Sequence, residues 1–210
     1  MNVHQDSTPP TPDTQGSHDQ GLLLVISGPS GVGKTTIVHR MLEACHGTFS
    51  ISATTRPMTT HETDGVDYLF MDDDTFQKWI NQNRFLEYAQ VFGRSSYGTP
   101  RQPVEDHLSK GRLVVLDIDV QGAIQVREAM PDMLGIFILP PSEDELLHRL
   151  RTRGREDEAT IERRFSEART EIETARGSTA YDHFVVNDNL DKATQDVISI
   201  VQKHLNRNIG

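Results

Sequence analysis

A single cysteine, Cys45, stands in a chain of 210 residues, so no internal disulfide can form. No apolar run approaches the ~20 residues that a membrane-spanning helix requires, which argues against a membrane partner. Cations are scarce as well. Lys and Arg number 21 against 31 Asp and Glu, a formal charge of −10, and nucleic acid needs a broad basic surface that such a balance does not supply. The first twenty residues contain no Lys or Arg, and Val3 is their only branched aliphatic residue. A stretch of that composition cannot bury enough surface to offset its ordering entropy, and it does not read as a signal or transit peptide. The expectation is a solvated tail over 1–20 ahead of a cytoplasmic domain with no obligate protein partner.

What the chain does contain begins after Gly21. The apolar run Leu22–Ile26 leads into Gly28-Pro29-Ser30-Gly31-Val32-Gly33-Lys34-Thr35, and Thr36 follows. Ile37, Val38, Met41, Leu42 and Cys45 then recur at helical spacing. Strand, glycine-rich turn and helix in this order make a phosphate-binding loop. Glycines let backbone N–H groups turn inward around an anion, and the helix N-terminus adds partial positive charge. Lys34 can reach the outer phosphates of a nucleoside triphosphate, and the Thr35 hydroxyl can ligate Mg²⁺. Residues 28–36 are therefore the expected ATP-binding segment.

Short apolar runs then alternate with helical patterns, the signature of a parallel sheet covered on both faces. Strands are predicted at Leu22–Ser27, Phe49–Ala53, Leu113–Ile118, Ile136–Leu139 and Phe184–Val186. Ser142 with Glu145 forms a capping-box pattern ahead of Leu146, Leu147 and Leu150. Long helices are predicted near Ala159–Arg176 and Leu190–Leu205. Cys45, on an apolar stripe, reads as a core thiol.

Two regions interrupt this rhythm. Residues 54–99 are rich in turn formers and hold Tyr68, Phe70, Phe76, Trp79, Phe85, Tyr88, Phe92 and Tyr97, with one clear helix around Trp79. Arg149, Arg151, Arg153, Arg155, Arg163 and Arg164 crowd a second segment of an otherwise acidic chain. An insertion for a second ligand and an arginine-rich flap suggest a phosphotransferase that closes over two nucleotides.

Ser52-Ala53-Thr54-Thr55-Arg56-Pro57, Gly65-Val66-Asp67-Tyr68, Phe85-Leu86-Glu87-Tyr88-Ala89, Tyr97-Gly98-Thr99, Leu116-Asp117-Ile118-Asp119-Val120-Gln121-Gly122 and Val186-Asn187-Asp188 resemble the guanylate kinases in order and spacing. The resemblance runs from about Gly21 to the C-terminus. It implies an α/β fold: a P-loop NTPase core whose parallel sheet is flanked by helices, a mixed α/β GMP-binding insertion and an arginine-rich lid. The implied division within 21–210 is core 21–53, 100–148 and 178–210, insertion 54–99 and lid 149–177. The implied reaction is ATP + GMP ⇌ ADP + GDP with Mg²⁺.

The same resemblance distributes roles. Glu87 is the expected guanine reader, since a carboxylate accepts from N1–H and the exocyclic N2–H₂ together, and adenine offers neither donor on that edge. Ser52, Thr99 and Asp119 complete that pocket, and Thr99 is also placed to cap a helix opened by Pro100. Arg56, Tyr68 and Tyr97 are the expected GMP-phosphate ligands. Thr35 and Asp117 are the expected Mg²⁺ ligands, and Asn187 lies beside the adenine. Lys34, Arg56, Arg149, Arg153 and Arg164 carry the catalytic charge. Arg151 and Arg155 read as solvated, with Glu156, Asp157 and Glu158 as partners.

One departure stands out. The family usually reads Arg-Pro-Pro-Arg-Pro-Gly-Glu where this chain has Arg56-Pro57-Met58-Thr59-Thr60-His61-Glu62, so Thr59 replaces a phosphate-binding arginine. Arg94, in a segment one residue longer than usual before Tyr97, is either a substitute charge or a solvated arginine. Two other functions compete: a P-loop kinase of another small phosphorylated metabolite, and a guanylate-kinase-like module that binds phosphopeptides. Glu87, Ser52 and Thr99 oppose the first; an intact Lys34 and Thr35 oppose the second.

Overall fold

The computed structural model describes residues 21–91, 95–152 and 157–207. In chain order the elements are β1 (Leu22–Ser27), α1 (Lys34–Cys45), β2 (Thr48–Phe49), β3 (Ala53–Thr54), β4 (Leu69–Phe70), α2 (Asp73–Asn81), β5 (Phe85–Val91) and β6 (Ser95–Pro100). They continue with α3 (Arg101–Leu108), β7 (Leu113–Asp117), α4 (Val120–Ala129), β8 (Leu134–Leu139), α5 (Glu143–Thr152), α6 (Glu158–Gly177), β9 (His183–Val186) and α7 (Leu190–Arg207).

Five strands form one sheet in the order β2-β7-β1-β8-β9, and every pairing in it is parallel. β1 is central and buried at all six residues, which explains its unbroken apolar sequence. Leu22, Leu24 and Ile26 face α1 and α7 through Ile37, Met41, Val197 and Val201. Leu23 and Val25 face the opposite layer, where Val104 of α3, Val126 of α4 and Ala175 of α6 complete the core. Each fully buried Leu or Ile contributes about 1.5–3 kcal/mol over an exposed one. Cys45 is half-buried against the first layer, and burial raises its thiol pKa.

The segment expected as one strand, Phe49–Ala53, is two. β2 pairs with β7 in the main sheet, and β3 pairs with β4 and β6 in a second, four-stranded sheet of order β4-β3-β6-β5. The chain changes sheet across Ser50, Ile51 and Ser52, a step that apolar patterning does not reveal. In the second sheet, Phe76 of α2 stacks at 4.5 Å on Phe85, over Ala53. β5 lies at its edge. There the Gln125 side chain from α4 acts as a short extra strand: Tyr88 N–H donates to Oε1 and Nε2 donates to Tyr88 O, both at 3.1 Å.

Helix ends follow the side-chain chemistry. Asp72, Asp119 and Asp157 each accept a backbone N–H of the following turn. Ser142 Oγ accepts from Glu145 N–H at 3.1 Å, but Glu145 turns its carboxylate to Arg149, so only half of the capping box forms. Thr99 caps nothing. Pro100 occupies the N-cap of α3, and the Thr99 hydroxyl is engaged elsewhere.

Candidate active site

The loop between β1 and α1 holds its shape through Gly33, the N-cap of α1, at φ 94. A Cβ there would lie 2.6 Å from Asn187 Nδ2, so both conformation and space demand glycine. α1 has no side-chain cap and no acidic residue in its first turn. Its first N–H groups are left for an anion. Asn187 braces the loop from below: its buried amide donates from Nδ2 to the Val32 carbonyl at 2.7 Å.

A cavity of about 470 Å³ opens over this loop and is also lined by Asp117, Ile118, Asp119 and Glu171. Lys34 Nζ sits 2.7 Å from Asp117 Oδ1 inside it. Thr35, on the first turn of α1, faces the same space. Glu171 was not among the expected residues. Burial pushes its carboxyl up to about 6; Lys34 works against the shift, and Asp119 and Asp117 add to it.

Two helices bring arginines to the loop. Arg164 of α6 donates from Nη2 to Ser30 Oγ. Arg149 of α5 pairs with Glu145 at 2.8 Å and donates to the Asn187 carbonyl at 3.1 Å. α5 packs on the loop itself, with Leu150 against Gly31. Arg151 pairs with Glu158 on the exposed side, as its face predicts.

A second cluster lies in the four-stranded sheet. β5 and β6 run antiparallel with Glu87 opposite Thr99, which puts both side chains on one face. Thr99 Oγ1 donates to Glu87 Oε1 at 2.6 Å, and both residues are buried. Burial raises the Glu87 carboxyl to about 7; the Thr99 hydrogen bond opposes this, and Asp119 reinforces it. Gly122 leaves room for that carboxylate, since a Cβ at this position would stand 3.1 Å from Glu87 Oε2. Ser52, half-buried at the change of sheet, accepts from Leu69 N–H through its carbonyl.

Arg56 lies beyond Thr54. Its guanidinium bonds Tyr97 Oη at 3.2 Å and grips Glu62 at 2.5 and 3.0 Å. The rings of Tyr68 and Phe70 flank it at 5.4 and 5.6 Å. Tyr68 and Tyr97 meet edge to face at 6.0 Å.

The sequence model of the guanylate kinase family matches residues 20–204. The chain is 47% identical over 182 residues to the guanylate kinase of Myxococcus xanthus, covering 86% of each chain. It is 46% identical to that of Thermus thermophilus, covering 87% of this chain and 81% of the relative. The crystal structure of guanylate kinase from Anaplasma phagocytophilum superposes with a TM-score of 0.68 at 33% identity, over 89% of this chain and 87% of that one. The chain belongs to the guanylate kinase family.

Most of the residues singled out by the guanylate kinase resemblance fall into the two clusters. Lys34, Thr35, Asp117, Asp119 and Arg164 surround the loop; Arg56, Tyr68, Tyr97, Glu87 and Thr99 line the second sheet. Arg153 and Arg94 lie outside the described residues. Thr59, the position where a family arginine is missing, is engaged locally. Its N–H and its hydroxyl both donate to Glu62 Oε2, at 2.9 and 2.7 Å, so in this chain the position serves a carboxylate. Sequence reasoning missed Glu171, yet the spacing of Arg164, Ala168, Glu171 and Ala175 on successive turns of α6 marks one inward face.

Proposed function

We propose that this chain transfers the γ-phosphoryl group of ATP to GMP, giving ADP and GDP, in the cytoplasm. The observation that carries the reading is the place of Asp119. It lines the cavity over the phosphate loop and also acts electrostatically on Glu87, so a triphosphate site and a base-reading carboxylate adjoin. ATP lays its phosphates along residues 28–36, where uncapped N–H groups and Lys34 neutralise charge. Glu87 accepts from guanine N1–H and N2–H₂ while Thr99 holds one of its oxygens. Arg56, Tyr97 and Tyr68 take the GMP phosphate. Arg149 and Arg164, with Arg153, supply charge to the migrating phosphoryl group.

The donor set fits Mg²⁺. Thr35 and Asp117 present hard oxygens to one cavity, and this ion ordinarily takes one or two protein oxygens beside substrate phosphates and water. Thr35 and Asp117 would hold the ion, which would supply charge to offset that developing on the transferring phosphoryl group. Lys34 must then leave Asp117 for the phosphates, and its 2.7 Å pair is the store from which it moves.

A coupled assay of ADP release with GMP, AMP, dGMP and ribose phosphates tests the reading. Turnover must favour the guanine nucleotides. Equal turnover with AMP would remove Glu87 as reader, and turnover with a ribose phosphate alone would favour a metabolite kinase.

A further inference from the structure

Arg56 has five N–H groups, and four of them are committed. Nε donates to Tyr97 Oη at 3.2 Å; Nη1 donates to the Pro57 carbonyl at 2.9 Å and to Glu62 Oε2 at 3.0 Å; Nη2 donates to Glu62 Oε1 at 2.5 Å. Glu62 thus takes the two facing hydrogens at the end of the guanidinium fork. Planarity then fixes the fifth N–H, the second one on Nη2, along the Nε edge beside the Tyr97 hydroxyl. It has no partner among the described residues. That hydroxyl already accepts from Arg56, so its own hydrogen is available to donate. Two donors stand side by side.

Glu62 is itself held. Its Oε2 also receives the Thr59 N–H at 2.9 Å and the Thr59 hydroxyl at 2.7 Å. An incoming phosphate that displaced Glu62 would have to break its two bonds to Arg56 and leave the carboxylate stranded on Thr59. A phosphate that docks on the Nε edge breaks nothing.

We infer that Glu62, anchored by Thr59, is a positioning residue for the GMP phosphate: it turns Arg56 so that the outer Nη2–H and the Tyr97 hydroxyl form a ready pair of donors. The inference rests on the proposal that Arg56 and Tyr97 bind that phosphate. It also gives the threonine a function of its own. Where the family usually places a second cation, this chain places an anchor for the carboxylate that aims the first one.

The test compares GMP with guanosine, which lacks the phosphate, by calorimetry or by competition. The ratio of the two dissociation constants isolates the phosphate's share of binding. Glu62→Gln should cut that ratio about tenfold, the scale of a charge-assisted bond replaced by a neutral one. Guanosine affinity and KM for ATP should not move. Thr59→Val should cut the ratio several-fold, and Thr59→Ser should restore it; this pair keeps the test open should Glu62→Gln fail to fold. An unchanged ratio in these variants, or tighter GMP binding once Glu62 is neutral, overturns the inference, the latter by making Glu62 a competitor of the phosphate. Arg56→Ala is the separate control. If it leaves the ratio intact, the assignment of the phosphate site has failed, whatever Glu62 does.

Discussion

Lys34 Nζ and Asp117 Oδ1 meet at 2.7 Å across the mouth of the phosphate loop, each side chain about one-fifth exposed (20% and 23%). A pair this accessible to water contributes on the order of 1 kcal/mol or less to the fold. On the proposed reading its electrostatic worth is realised when phosphates replace the carboxylate. Lys34→Ala should therefore lower kcat by roughly 10²–10³-fold, the scale of losing one preorganised donor to developing charge. Tm should fall by only about 2–4 °C. Thermal melts alongside the coupled assay check both, and comparable turnover in a folded variant would place the chemistry elsewhere.

Glu87 predicts a pH dependence with a definite sign. On the proposed reading guanine meets an ionised Glu87, and burial raises this carboxyl to about 7. GMP binding then releases protons below that pH, and kcat/KM for GMP should fall about tenfold per unit on the acid side of it. KM for ATP should stay flat. Calorimetry in buffers of different ionisation enthalpy counts the protons directly.

The same carboxyl links stability to pH. Its value in the fold lies above the ordinary 4.5, so the folded state binds the proton more tightly than the unfolded chain. Its contribution is complete below about 4.5 and is lost as pH rises through about 7. The Tm of the parent relative to Glu87→Gln should decline across that interval. A difference that rises with pH would contradict the burial that the geometry describes.

Thr99 tests how the carboxyl is tuned. Its hydroxyl donates to Glu87 at 2.6 Å and favours the ionised form. Thr99→Val should move the GMP profile further alkaline, with most of the loss at pH 7 recovered near pH 9. A loss that pH does not repair would mean that the hydroxyl contacts the base.

Gly122 offers a steric test. Alanine suits a helix better than glycine, by up to ~1 kcal/mol. Here its methyl would stand 3.1 Å from Glu87 Oε2 and 3.3 Å from Ile118 Cδ1. Gly122→Ala should keep Tm within a few degrees, raise KM for GMP several-fold and spare KM for ATP. Equal rises in both would point to a general disturbance of α4.

The phosphate loop and the central strands were legible because their chemistry is local. A glycine-rich turn between a strand and a helix names itself, and a strand buried on both faces reads as Leu22 to Ile26. The second sheet was not legible as strands. β3 and β4 have two residues each, and β5 and β6 mix polar and aromatic side chains because one face lines a site. Phe49–Ala53 looked continuous because patterning reports burial and not which sheet buries it. Thr99 resembled a cap because Pro100 follows it; its partner Glu87 is twelve residues away and meets it only through strand pairing. Glu171 carried no local signal beyond its spacing. Thr59 was visible as a departure, but the carboxylate it holds could not be seen without coordinates.

The amide of Gln125 has a consequence for how copies of this protein treat one another in solution. β5 borders its sheet, and a bordering strand offers its backbone to any passing strand. By filling the Tyr88 N–H and carbonyl together, one side chain occupies the slot in which a foreign strand would begin to zip. The slot is filled from α4, the helix whose Gly122 also abuts Glu87, so Gln125→Ala should surface as turbidity during concentration or heating together with a rise in KM for GMP.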